Sequence, residues 1–242
     1  GSHIARESTF GNLRYFKRLP EGTECGVATS KVINLSDVFG DSDQTNKFVT
    51  RYLQSTHCDL FFADAAILVE GAAESMLLPH FIRSKYPELY QRYITILGVN
   101  GRHAHRLSPL IEKLCLPTLV ITDLDPAEKE GHHKSAVPKR GEGQISGNYA
   151  IAKWLMKEKD IDKLLDCPEA KKEIPFASPY QFSIRIAYQT PVKVDFEGEE
   201  KEAIPGTFED CLIYTNYDLF KKIKVTDPGS LVEQTHDLLN SN

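Results

Sequence analysis

Residues 65–69 read Ala-Ala-Ile-Leu-Val, an apolar run with no polar interruption that passes straight into Glu70-Gly71. A strand with one wet face alternates apolar and polar side chains. A run of strand length without alternation predicts a strand buried on both faces, the habit of parallel sheets. Parallel neighbours need a long crossover, usually a helix, and the chain provides them in order. Residues 72–83 carry a helical pattern, 93–99 a second apolar strand ending in Asn100-Gly101, and 107–114 a second helix. Residues 118–122 are a third strand, ending in Asp123-Leu124-Asp125-Pro126. Strand–helix–strand–helix–strand with short connections predicts an α/β fold, a parallel sheet flanked by helices with right-handed crossovers. Such sheets carry their chemistry beyond the carboxyl ends of the strands. Here those ends hold Glu70, Asn100-Gly101 and Asp123/Asp125.

The flanking sequence is more mixed. Residues 12–18 and 27–35 read as short strands around the turn-rich 19–22, and 47–55 as a helix. After Pro126 the chain is polar and basic through Gly143, a long loop. Residues 148–165 read as one amphipathic helix with Ile151, Trp154, Leu155 and Ile161 on its buried face. Residues 183–194 look like a strand, 197–202 like an acidic loop or turn, and 208–214 and 230–239 like helices. The expected division is 1–3 a tag remnant (Gly1-Ser2-His3), 4–59 lead-in strands and helix, 60–143 the α/β core, 144–182 a helical insertion, and 183–242 the completion of the core.

Composition narrows the function classes. At 242 residues, 41% hydrophobic, 26% charged and net charge −5, the chain has an ordinary globular makeup. No run of about 18 apolar residues occurs, so no membrane span is expected. The five cysteines are scattered, odd in number and without a C-x-x-C pair. That excludes a disulfide scaffold or zinc ribbon and fits a reducing cytoplasm. An acidic balance excludes a protein coated in basic charge, though not a local basic track.

The sharpest chemical feature is the set Glu70, Glu74, Asp123 and Asp125. Glu70 closes one buried strand, and Glu74 follows four positions later in the opening turn of a helix, on the same side. Asp123 and Asp125 flank Leu124 past another buried strand, where extended alternation points both the same way. Singly, either pair is more often solvated helix or turn chemistry. Together, at equivalent ends of two buried strands, they favour function. Four carboxylates at one rim would repel by several kcal/mol or force some to protonate. Divalent hard cations resolve the repulsion. Mg²⁺ takes one or two carboxylates and keeps its waters, and two ions about 3.5–4 Å apart can clamp a phosphoryl displacement.

These residues resemble a known family. Ile67-Leu68-Val69-Glu70-Gly71-Ala72-Ala73-Glu74 and Ile121-Thr122-Asp123-Leu124-Asp125 are similar to the glutamate and Asp-x-Asp motifs of a Toprim domain, a Rossmannoid parallel sheet. Leu60-Phe61-Phe62-Ala63, Val99-Asn100-Gly101-Arg102, Ser146-Gly147-Asn148 ahead of Ala152-Lys153-Trp154-Leu155, and Gly206-Thr207-Phe208-Glu209-Asp210 resemble the OLD (overcoming lysogenization defect) family. The resemblance covers roughly residues 60–215. It implies a metal-dependent DNA endonuclease holding two Mg²⁺ or Mn²⁺ ions. Glu70, Glu74, Asp123 and Asp125 would be metal ligands, with Glu70, Asp123 and Asp125 catalytic, and Glu209 with Asp210 would be a later acidic ligand. It also implies an N-terminal ABC-type ATPase as partner domain, through which a homo-oligomer could form, since no Walker A sequence occurs here. The family's downstream lysine has no clear match. Lys221, Lys222 and Lys224 read as a solvated helix face.

Weaker signals complete the reading. Arg102 follows the second strand, and Lys134, Lys139 and Arg140 follow the Asp-x-Asp strand; all four are candidate phosphate contacts for DNA. His132-His133 lacks a third ligand at zinc spacing, Gly141-x-Gly143 lacks a preceding strand, and no G-x-S-x-G marks a serine hydrolase. Ser146 and Asn148 read as caps of the Trp154 helix. The rival readings are a non-catalytic nucleic-acid-binding or dimerising module, and a primase- or topoisomerase-like Toprim enzyme. No tyrosine here has the context of a topoisomerase nucleophile.

Overall fold

The computed structural model describes residues 14–18, 27, 29–36, 38, 58–99, 103–128, 136–177, 180–196 and 198–220. The expected helices 47–55 and 230–239, and the candidates Arg102, Lys134, Lys221, Lys222 and Lys224, lie outside them. The chain divides into two compact units, one of residues 1–121 and 173–186, the other of 122–172 and 187–242.

The first unit is built on the sheet that the apolar runs predict. Strands β1 (Arg14–Arg18) and β2 (Ser30–Asn34) form an antiparallel hairpin. The main sheet comprises β3 (Ala65–Val69), β4 (Ile94–Gly98), β5 (Thr118–Ile121), β8 (Glu173–Phe176) and β9 (Phe182–Ala187), in the order β4-β3-β5-β9-β8. β3 pairs in parallel with β4, Ala65 opposite Ile94 through Val69 opposite Gly98. It also pairs in parallel with β5, Leu68 opposite Val120. β8 joins β9 antiparallel, so the sheet is mixed at one edge. With hydrogen-bonded neighbours on both sides and helices α1 (Ala72–Lys85) and α2 (Ser108–Leu114) flanking the sheet, β3 has no wet face, and Leu68 and Val69 are fully buried. That is why its sequence lacks alternation. α2 ends at Cys115 in the left-handed region (φ 48). Lys17 of β1 donates from Nζ to the Leu114 and Cys115 carbonyls at 2.6 and 2.9 Å, satisfying the helix end.

From residue 122 onward the chain departs from the sequence reading in four places. Strands β6 (Pro126–Ala127) and β7 (Ile145–Ser146) form a short antiparallel pair that brackets the region read as loop. The single helix expected over 148–165 is two. A π-helical segment, Ala150–Leu155, closes with the Met156 and Lys157 amides both reaching the Ile151 carbonyl, at 3.1 and 3.0 Å. Lys157 then turns left-handed (φ 53). The next residues bond across to 144–146 rather than along a helix, Ser146 N donating to Lys159 O at 2.7 Å and Ile161 N to Gln144 O at 3.1 Å. Helix α3 (Ile161–Leu165) starts afresh, the Asp160 carboxylate accepting from Lys163 N at 3.1 Å.

The expected strand 183–194 is interrupted after Ala187 and resumes as β10 (Val192–Phe196). Its antiparallel partner is β11 (Glu199–Ala203), a strand where a loop or turn was expected. Helix α4 (Phe208–Thr215) lies where expected and packs Ile213 and Tyr214 on Val194 and Ala203. Among the described residues no helix is long and apolar enough to cross a membrane.

Candidate metal centre

In the first unit, β3 delivers Glu70, half-buried, directly past Val69. Gly71 caps α1 in extended conformation (φ −114, ψ 171), and Glu74 in the first turn is only 4% exposed. The Glu74 carboxylate folds back over Gly71, where a Cβ would collide with Oε2 and stand 3.3 Å from Cδ. Absence of a side chain at 71 is therefore what gives this buried acid its place.

In the second unit, Asp123 and Asp125 are half-buried on either side of a wholly buried Leu124. This short segment is held along its whole length. Thr122 N donates to Ala187 O at 3.0 Å and Leu124 N to Gln189 Oε1 at 2.8 Å. Gln189 Nε2 donates to Asp123 Oδ1. Asn148 Nδ2 donates to Thr122 Oγ1 at 2.7 Å, to Asp123 O at 3.1 Å and to Asp125 Oδ2 at 3.3 Å. Gly147 N donates to Asp125 O at 2.9 Å. Asp125 itself is left-handed (φ 47), so the two aspartates do not follow the simple extended alternation expected from sequence.

Of the later acidic pair, Glu209 is exposed. Asp210 forms a capping box with Thr207: its Oδ2 accepts from Gly206 N and Thr207 N at 3.0 and 3.1 Å, while its own amide donates to Thr207 Oγ1 at 3.2 Å. Next in the helix, burial pushes the Cys211 thiol up to about 12, with the Asp210 and Asp123 carboxylates adding to the shift.

Of the basic candidates, Lys139 is exposed. Arg140 is tied into the unit by Glu202 (Nε to Oε1, 2.7 Å) and Asp166 (Nη1 to Oδ1, 2.8 Å). Among the described residues no group of three or more His, Cys, Asp or Glu is gathered as a metal cage. Gln189 was not among the sequence candidates. Nothing in Ala187-Tyr188-Gln189-Thr190 distinguishes it, and only the break in the strand reveals it. Asn148 was read as a cap, and its Oδ1 does accept from Ala150 N at 2.9 Å.

Comparison with known proteins agrees with the sheet and its motifs. Residues 61–125 match the family model described as overcoming lysogenization defect protein-like, TOPRIM domain. The chain is 28% identical over 225 residues to Endonuclease GajA of Bacillus cereus (strain HuB5-5), covering 89% of this chain. It spans 29% of the length of that relative. With β3, β4 and β5 forming its parallel core and Glu70 and Asp-x-Asp following the strand ends, residues 61–125 carry an OLD-like Toprim region.

Proposed function

We propose that the chain is the nuclease portion of a DNA endonuclease, hydrolysing phosphodiester bonds with Mg²⁺ or Mn²⁺. The observation that carries this reading is the parallel pairing of β3 with β5, Leu68 opposite Val120. Two neighbouring strands thus end side by side, and each runs on into an acidic motif, Glu70-x-x-x-Glu74 from one and Asp123-x-Asp125 from the other. The donor chemistry fits a hard ion, because the candidate ligands are all carboxylates. A cage of protein ligands is not required, since Mg²⁺ keeps several waters and shares substrate phosphate oxygens.

When bound, two such ions would activate water and neutralise charge on the leaving oxygen. The chain's own residues have separable parts in this reading. Asp123, Asp125 and the buried Glu74 bind, Glu209 and Asp210 are further candidate ligands, and the half-buried Glu70 binds or takes a proton from the attacking water. Of the two described basic candidates, Lys139 is exposed to meet a DNA phosphate, whereas Arg140 would first have to leave two carboxylates. The similarity to a relative named an endonuclease supports the reaction class. A relative more than three times as long is consistent with further domains, for which we propose the ATPase partner and assembly through it, in the cytoplasm.

The test is nicking of supercoiled plasmid with Mn²⁺. Glu70→Gln and Asp123→Asn should each abolish nicking with unchanged circular dichroism. Equal nicking by wild type and both variants refutes the assignment, and DNA binding without cleavage under any divalent metal favours a binding module.

A further inference from the structure

We propose that Gln189 and Asn148 are positioning residues that set the orientation of the Asp123 and Asp125 carboxylates for metal binding. The inference rests on the reading of Asp123-x-Asp125 as metal ligands. It begins with an asymmetry in that segment. Thr122 and Leu124 are buried and fix the chain, whereas the acids between and after them are only half-buried. A half-buried carboxylate on a short side chain rotates unless something holds it. Each of these acids is held at one oxygen by a side-chain amide, Asp123 Oδ1 by Gln189 Nε2 and Asp125 Oδ2 by Asn148 Nδ2.

Neither amide can exchange its donor and acceptor ends cheaply. Gln189 Oε1 accepts from Leu124 N at 2.8 Å, so its NH₂ must face Asp123. Asn148 Oδ1 accepts from Ala150 N at 2.9 Å, so its NH₂ must face the aspartate segment. Both amides are buried, Gln189 at 4% exposure and Asn148 at 0%, where reversing them would leave donors and acceptors mismatched. Their own supports are equally fixed. Tyr188, one residue before Gln189, donates from its hydroxyl to Leu164 O at 3.0 Å and lies with its ring 4.6 Å from Lys172 Nζ. Asn148 N donates to Ser146 Oγ at 3.1 Å.

The choice of amides has a chemical reason. A lysine or arginine in either place would orient the carboxylate equally well but would cancel the charge that attracts a cation. A neutral NH₂ donor orients without competing. The left-handed backbone of Asp125 points the same way. A non-glycine residue holds that conformation only where its surroundings over-determine it, and here Gly147 N grips its carbonyl while Asn148 grips its carboxylate. Outer partners of this kind typically contribute 10–100-fold to metal affinity.

Gln189→Met carries the test, because it keeps the chain length and removes both amide bonds. Mn²⁺ binding to the chain without DNA, read by electron paramagnetic resonance of the free ion, should weaken about 10–100-fold. Plasmid nicking by the variant should recover toward the wild-type rate at saturating Mn²⁺. A purely structural role predicts instead a lowered unfolding temperature with unchanged Mn²⁺ affinity of the folded chain. An affinity within twofold of wild type therefore overturns the inference and leaves the metal reading standing. Failure of the wild type to bind Mn²⁺ overturns both. Should Gln189→Met not fold by circular dichroism, Gln189→Asn, polar but a methylene too short to reach both Leu124 and Asp123, is read by the same criteria.

Discussion

Gly71→Ala separates the geometry of Glu74 from the stability of the fold. The backbone at 71 is extended (φ −114, ψ 171), so alanine meets no torsional objection. Its methyl, however, occupies the space of Glu74 Oε2, and the carboxylate must withdraw by about 1 Å to restore van der Waals distance. The stability terms partly offset one another. Alanine gains about 0.4–1 kcal/mol by restricting the unfolded chain. It loses about 0.5–1 kcal/mol as a poorer N-cap than glycine, and moving Glu74 off its rotamer costs about 0.5–1.5 kcal/mol. The net loss is about 1 kcal/mol, which leaves a domain of ordinary stability almost wholly folded.

Displacing a ligand by the same ångström can cost about 100-fold in rate. Mn²⁺-dependent nicking should therefore fall by one to two orders of magnitude (about 10–100-fold), while the unfolding temperature drops only about 2–4 °C. In the double variant with Glu74→Ala the methyl has nothing to displace, so its rate should equal that of Glu74→Ala alone. Nicking by Gly71→Ala within twofold of wild type, or a double variant slower by the product of both single losses, would refute the argument.

Two further perturbations address the second unit. Asp210→Ala opens the capping box and should cost about 1 kcal/mol, whereas Glu209→Ala, on the exposed side of the same turn, should leave the unfolding temperature unchanged and reduce nicking. Unchanged nicking by Glu209→Ala removes it from the ligand set. Burial pushes both the Cys211 thiol (ordinarily 9.0) and the Tyr214 phenol (ordinarily 10.0) up to about 12, helped in each case by the Asp210 charge. Both groups are neutral in the fold and ionise sooner once it opens. Their contribution is intact below about pH 9 and is lost as pH climbs toward 12. Urea midpoints should accordingly fall steadily between pH 9 and 11, and a flat profile would show that neither group is held as described.

What the sequence made legible follows from how each element earns its burial. β3 was readable because a strand covered on both faces has no choice but to be apolar, β4 and β5 because they are mostly apolar runs of strand length although only alternate positions are buried, and Glu70 and Asp123 were conspicuous because charge there breaks the run. The helix 148–165 was misread because its apolar spacing continues while its backbone does not. Ile151, Leu155 and Ile161 are all buried, yet Lys157, a residue with no turn signature, goes left-handed between them. β11 was hidden because Glu-Glu-Lys-Glu-Ala buries only Ala203, and its pairing with β10 rests on backbone bonds rather than on a hydrophobic face. Gln189 was invisible for a related reason. Its importance lies in two hydrogen bonds to residues 65 and 66 positions away, and no local pattern encodes such a distance.

At position 125 durability and chemistry pull against each other. The main chain there takes φ 47 on the way into Pro126, a shape that glycine adopts without penalty and that aspartate holds at a cost of about 1–3 kcal/mol. An engineer hunting for heat resistance by replacing residues caught in unfavourable torsions would be drawn to that spot early. If the metal reading is right, the easiest degree gained would come from the side chain the protein can least do without.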